Sequence, residues 1–411
     1  MIKPPREANN KRRVVVTGLG VVSSLGIGWE EFWKNLIAGK SGISRIEAFD
    51  TSNYDRHYGG EVKSFDASKF ISKRKEKILG RTSQMAIAAG KLALRDCGID
   101  VKKNKNMSVI IGTTVGELRH LENYHDLRRI NSQKLYNDMI SAFPSSSLSS
   151  NLAVELGLNG FNEVIATACA AGNYAIARGF DLIKSGRAEF VLSGGADSLS
   201  RVVYTGFSRL YSIASEKCQP FDKNREGMIP GEGAGVLFLE SLESALFRKV
   251  KIYAEILGFG LSCDAHHMTI PFSERIAEAI SKSLINSNIA PKQVNYISAH
   301  GTGTKENDKA ECLAFKKVFQ GVIPAASSIK SMLGHTMGAA AALEAITCCL
   351  AIDQGVIPPT VNYTNIDPEC NIDCVPNKAR KVKLDLVINN SQAFGGNNAC
   401  LVIRKFQQEF S

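Results

Sequence analysis

The 411-residue chain has no apolar run both long enough and free enough of charge to cross a bilayer. The nearest candidate, Gly338 to Ile352, carries Glu344 in its middle. No CxxC pair occurs among the ten cysteines, and there is no zinc-finger spacing. Met1 to Arg13 is polar and basic and lacks the apolar centre of a secretory signal. A membrane protein, a disulfide scaffold and a zinc module are therefore set aside, and a cytoplasmic protein with reduced cysteines is expected. Basic residues do not alternate with aromatics in the manner that stacks bases, so nucleic acid is not an expected partner. Two glycine near-motifs also fall short. Gly18-Leu19-Gly20-Val21-Val22-Ser23 has Ser23 where a dinucleotide-binding turn has its third glycine, and Gly231-Glu232-Gly233-Ala234-Gly235 has no P-loop lysine. His266-His267 has no carboxylate–histidine set around it at ligand spacing, so no metal is expected.

What is present is an ordinary globular composition, 44% hydrophobic and 22% charged. The net charge of +10 favours an anionic partner. Its densest basic cluster is Lys73-Arg74-Lys75-Glu76-Lys77, and Lys102-Lys103-Asn104-Lys105 comes next. Strand-like and helix-like segments alternate with no low-complexity linker, which argues for a layered α/β fold. A short buried strand is predicted over Arg13 to Thr17, ending in glycine. Helices are predicted over Gln84 to Asp96, Gly172 to Lys184 and Met337 to Ile352. A closing strand pair, Lys383 to Asn389 and Ala399 to Lys405, is joined by a glycine turn. The alternation is compatible with a duplicated core, although no repeat is visible residue by residue.

Four constellations carry chemistry. In Ile165-Ala166-Thr167-Ala168-Cys169-Ala170-Ala171-Gly172 an apolar strand runs into a tight turn with one cysteine, and a helix follows. Backbone N–H groups at a helix start favour a thiolate, and a thiolate accepts acyl groups. Most cysteines are packed core residues, but small neighbours on both sides expose this one. In Ser298-Ala299-His300-Gly301-Thr302-Gly303-Thr304 a strand delivers a histidine to a loop that backbone can approach closely. Alone, this reads equally as a helix N-cap beside a loop histidine. Ser328 to Ala340 places Lys330 and His335 just before a helix rich in small residues, with Glu344 about two and a half turns beyond His335. Helix packing explains the alanines there, but not the polar residues. Gln392-Ala393-Phe394-Gly395-Gly396-Asn397-Asn398 sets an aromatic beside two glycines, either a hinged plug or a plain hairpin turn.

Taken in this order, the four segments resemble the β-ketoacyl-acyl-carrier-protein synthases of the I/II type. Val15 to Gly20, Pro220 to Gly227, Gly231 to Gly235 and Asp264 to Thr269 share the resemblance, which covers roughly Arg12 to Lys405. It implies a thiolase-like five-layer αβαβα fold of two similar halves, set here at 1–260 and 261–411, and a homodimer. It implies Cys169 as the acylated nucleophile, and neutral His300 and His335 as donors to a malonyl thioester. Lys330 and Glu344 would pair behind His335. The N–H groups of Cys169 and Phe394 would form an oxyanion hole, with Phe394 also the gate. Thr302 and Thr304 would hold the phosphopantetheine arm, and Phe207 and Gly395 would complete the substrate wall. Acyl carrier protein would be the partner, steered by Lys73, Arg74, Lys75 and Lys77, with no resident cofactor. Two rivals share the resemblance. A degradative thiolase would use a second cysteine, for which Cys400 is the late candidate, and a chain-length-determining partner subunit would lack the nucleophile. The chain departs from the pattern at Ala393, where alanine replaces a glycine, and at Gln392, where an aromatic is common. It also has no proline after Gly160, and Ser145-Ser146-Ser147 interrupts the segment Leu135 to Ser150 that lines the acyl pocket in relatives. An alanine at 393 is less free than glycine at positive φ, so the gate motion is expected to differ.

Overall fold

The computed structural model describes residues 12–129 and 144–407. The part of the expected acyl-pocket segment from 135 to 143 lies outside them.

In chain order the first half contains β1 (Val14–Ser23), α1 (Arg81–Cys97), β2 (Ser108–Gly112), α2 (Ser147–Leu156) and β3 (Asn162–Ile165). It continues with α3 (Ala171–Lys184), β4 (Phe190–Asp197), α4 (Arg201–Arg209) and β5 (Gly233–Ser241). The second half contains β6 (Ala254–Cys263), α5 (Ser273–Asn286), β7 (Tyr296–Ser298), α6 (Lys305–Phe319) and β8 (Ala325–Ser327). Then come α7 (Ala340–Gln354), β9 (Leu386–Gln392) and β10 (Asn397–Arg404). The strands lie side by side as β8-β7-β9-β10-β6-β1-β5-β4-β2-β3. Read outward from the centre, each half has its first strand innermost, then its fifth, fourth, second and third. The duplication that no residue pattern displays is thus explicit in topology. The boundary expected at 260/261 falls inside β6, and the repeat in strand order starts the second half at Ala254.

The halves meet where β1 pairs antiparallel with β6 over Val14 to Val16. α1 and α2 cover the outer face of the first half, and α5 and α6 that of the second. α3 and α7 lie against each other and touch strands of both halves. This is the expected five-layer αβαβα arrangement. A helix between two sheets has no solvent face, so it must be apolar all round. In α7 every residue from Ala340 to Ile352 is buried, with Glu344 among them. The stretch Met337–Gln354 is apolar and long enough for a membrane by composition, but it is this central layer.

β1 runs past its predicted end at Gly18 and is buried to Ser23. Its glycines are sites of close approach rather than a turn. A Cβ on Gly20 would lie 1.8 Å from the Ala89 carbonyl oxygen of α1, and one on Gly18 would lie 2.4 Å from that of Ala93. The same packing accounts for the false likeness to a dinucleotide-binding turn.

β2 runs parallel to β3 and β4, and β7 parallel to β8 and β9. The loops leaving the C-terminal ends of β3, β7, β8 and β9 therefore converge, the usual place for a site in such sheets. They carry Cys169, His300, Lys330 with His335, and Phe394.

Candidate active site

A three-residue 3₁₀ turn, Ala168–Ala170, feeds α3, and a matching turn, Met337–Ala339, feeds α7. Each begins with a non-glycine residue in the left-handed region, Ala168 at φ 50° and Met337 at φ 54°. Such backbone is costly and persists where its surroundings fix it. Asp197, at the end of β4, supplies such fixing for the second turn. Its buried carboxylate accepts Thr114 N and Gly338 N, both at 2.7 Å, and Val115 N at 3.2 Å. It ties the loop after β2 to the turn before α7.

Cys169, His300, His335, Thr302, Phe207 and Phe394 all line one cavity of about 440 Å³, and Thr304 joins them. The two imidazole rings stand 5.4 Å apart, centroid to centroid, and nearly perpendicular at 85°. His335 accepts Met337 N–H at Nδ1, 3.2 Å away, and His300 Nδ1 lies 3.4 Å from the Lys330 ammonium. With both Nδ1 atoms engaged as acceptors, these hydrogen bonds place the ring proton of each neutral imidazole on Nε2. Burial pushes both rings well below the ordinary histidine range, and the Lys330 charge pushes them further. Both imidazoles are therefore neutral donors at physiological pH.

Lys330 and Glu344 form an ion pair with each side chain only 1% exposed. Lys330 Nζ also donates to the His300 carbonyl oxygen at 2.7 Å. Both residues stand behind the cavity wall. Burial raises the Glu344 carboxyl, against the pull of Lys330.

The thiol does not follow the expectation drawn from the helix start. Cys169 is 6% exposed, and burial pushes it up to about 12, with Lys330 pulling down and Asp197 pushing up. Desolvation of a thiolate outweighs the favourable charges around it, so the resting sulfur is a thiol.

Phe394 is 39% exposed, with its ring 5.9 Å from that of Phe207 on α4. The gate turn closes through Gly396 N–H to the Ala393 carbonyl at 2.9 Å, and Gly395 N–H donates to Met268 O at 2.8 Å. Phe394 N–H takes part in neither bond. The left-handed positions are Gly395 at φ 85° and Gly396 at φ 83°, not Ala393. In this conformation Ala393 does not take the positive φ at which alanine and glycine differ. It is Gly396, rather than Gly395, that contributes to the cavity wall.

The Thr302 and Thr304 hydroxyls lie 2.9 Å apart. Lys73, Arg74, Lys75 and Lys77 stand on a short helix, Lys73–Ile78, that contributes nothing to the wall, and Lys75 pairs with Glu155 at 2.5 Å. Cys400 is fully buried among the apolar residues of the second half, outside the cavity. Residues without a motif signature hold the site together. Glu311 of α6 accepts His300 N at 2.7 Å and Gly301 N at 2.8 Å, and Asn390 of β9 donates to the same carboxylate at 2.7 Å. The only hint of this in the sequence is an acidic residue on the apolar face of a helix.

Known proteins are similar to this one over nearly its whole length. Residues 11–245 match the family "Beta-ketoacyl synthase, N-terminal domain", and residues 253–364 match "Beta-ketoacyl synthase, C-terminal domain". A 3-oxoacyl-[acyl-carrier-protein] synthase 2 from Synechocystis sp. is 36% identical, over 97% of this chain and 99% of its own length. The solved ishigamide ketosynthase/chain length factor is 42% identical with a TM-score of 0.93, over 96% of this chain and all of the other. A type II polyketide ketosynthase, solved with its acyl-carrier protein and bound to a hexaketide, is 32% identical with a TM-score of 0.87, again over 96% and 100%. The chain belongs to the β-ketoacyl synthase family.

Proposed function

We propose that the chain is a β-ketoacyl-[acyl-carrier-protein] synthase, which joins a Cys169-bound acyl group to a malonyl unit with loss of carbon dioxide. The observation that carries this reading is one thiol and two neutral imidazoles on the wall of a single gated cavity. In the first half-reaction the Cys169 sulfur displaces the pantetheine sulfur from an acyl carrier, and the thiol proton ends on the released arm. The buried cavity then changes no net charge, which suits a site that disfavours a lone thiolate. In the second, a malonyl carrier loses carbon dioxide. The electron pair left on its methylene passes through an enolate whose oxygen accepts from the Nε2–H groups of His300 and His335. That carbon attacks the acyl thioester, whose oxyanion meets the N–H groups of Cys169 and Phe394. The Cys169 sulfur leaves and takes up a proton from solvent, which balances the carboxylate charge lost with carbon dioxide. The reaction as written needs no resident cofactor.

The rivals lack support in the site. Cys400 lies outside the cavity, where a thiolase's second cysteine cannot serve, and a chain-length partner subunit would not carry Cys169. A second copy of the chain serves as dimer mate. Supporting this, β3 is the outermost strand of its half, and Val154 and Phe161 beside it are 75% and 47% exposed. All ten cysteines are free, as suits the cytoplasm.

His300→Ala tests the reading. Losing one of two donors to a developing oxyanion slows that step by about 10²- to 10³-fold, while acyl transfer to Cys169 persists. Mass spectrometry of the variant given acyl carrier alone should find the acyl group on Cys169. No adduct there, or one on another cysteine, overturns the assignment.

Carrier docking supplies a second test. Lys73, Arg74 and Lys77 are exposed and Lys75 is partly engaged. Reversing Lys73, Arg74 and Lys77 to glutamate should raise KM for carrier-borne substrates about tenfold at low salt, and less at high salt. Short thioesters without the carrier should be unaffected. Equal changes for both would remove the patch from the docking surface.

A further inference from the structure

Gln392 ends β9, is 2% exposed and lines the cavity. Both polar atoms of its side chain, Nε2 and Oε1, are buried without a hydrogen-bond partner, the only side chain among the described residues with two such atoms. More than nine in ten buried polar groups are bonded, so a doubly unpaired amide facing a cavity points to a ligand. Its direction follows from strand alternation. Ser391 faces Asn173 of the central layer, donating no bond to Gln392 but accepting one from Asn173 at 2.9 Å. Asn390 faces the other way, onto the Glu311 carboxylate that holds the His300 backbone. Gln392 lies on the Asn390 face, one pleat further along, on the side of the loop that carries His300, Thr302 and Thr304.

The two unpaired atoms are of opposite kind, one donor and one acceptor, and this discriminates between ligands. An acyl chain satisfies neither. A carboxylate only accepts, and would leave Oε1 unpaired. A secondary amide donates and accepts, and satisfies both. We propose that Gln392 pairs with the secondary amide nearest the sulfur of the pantetheine arm. It is then a recognition residue for carrier-borne thioesters that works beside Thr302 and Thr304. This rests on the reading that such thioesters enter the cavity.

The test is a cycle between residue and substrate. Malonyl and acyl thioesters of N-acetylcysteamine keep that amide, and n-pentyl thioesters have the same length without it. Wild type should prefer the amide-bearing member of each pair in kcat/KM. Gln392→Met should reduce that preference about tenfold, by the loss of paired hydrogen bonds, with little change for the pentyl thioesters. A change in packing alone would slow both members equally and overturn the inference. So would a loss confined to malonyl substrates whatever their tail, which would assign the amide to the malonyl carboxylate. Gln392→Met should melt no lower than wild type, because it removes an unpaired buried amide. Should it fail to fold, Gln392→Glu keeps the length, loses the donor and is read in the same cycle. A wild type that condenses carrier substrates but shows no change in preference on mutation sinks this inference alone. A wild type that condenses nothing sinks the functional reading.

Discussion

Cys169→Ser should lower condensation by about 10⁴-fold or more while malonyl carrier is still decarboxylated. The cavity already holds the thiol up at about 12, and a hydroxyl is much harder to ionise than a thiol. Nothing nearby stands ready as a base, since each imidazole has its Nδ1 turned to Met337 N–H or to Lys330. Serine therefore fills the space without accepting the acyl group. Decarboxylation relies on the Nε2–H donors of His300 and His335, which the substitution leaves in place. Because both rings titrate well below the ordinary range, they stay neutral from about pH 6 to pH 8. The remaining decarboxylation should be flat across that interval. Chromatography of the acetyl and β-ketoacyl carrier products measures both activities together. Condensation by the serine variant within tenfold of wild type, or loss of decarboxylation in step with condensation, would remove the sulfur from the role assigned to it.

The parts of this site legible in the sequence share a local pattern. Small residues flank Cys169, and a strand ends on His300-Gly301-Thr302. Each pattern is short enough to read without knowing what packs against it. The thiol's ionisation is not legible in the sequence because the helix start is local, whereas burial under the second half is not. Gly18 reads as the end of a strand because only the presence of α1 at the Cα atoms of Gly18 and Gly20 shows why a side chain is excluded there. Strand order, not sequence similarity, carries the duplication, so it appears only once the sheet is assembled. Asp197 and Glu311 have no motif of their own. Each is a carboxylate buried to collect backbone N–H groups from loops far apart in the chain. Gln392 stood out only as a departure, and its meaning comes from the partners its amide lacks.

Lys330→Met should be the most destabilising single change at the site, and pairing it with a second substitution separates stability from catalysis. The ammonium and Glu344 are each 1% exposed; the pair runs through Glu344 Oε1, and Oε2 has no hydrogen-bond partner. Removing the cation leaves a carboxylate sealed between two sheets, which costs about 3–5 kcal/mol. Replacing both partners with apolar side chains of similar volume is often neutral or stabilising, so Lys330→Met/Glu344→Leu should recover most of the loss in urea unfolding. Activity should not recover with it. Lys330 also donates to the His300 carbonyl and faces His300 Nδ1, so without it neither the ring's position nor its tautomer is held. The double variant should remain at least about 10²-fold slow in condensation, the scale of one lost oxyanion donor. The sign of its pH response is also fixed. The Lys330 charge is one of the causes that lower both imidazoles, so its removal lets their pKa values rise. Any acid limb of the condensation rate should then move to higher pH, only partway towards the ordinary histidine range because burial, the larger cause, remains. A single variant as stable as wild type would show that the pair bears no structural charge. A double variant as active as wild type would show that Lys330 does not position His300.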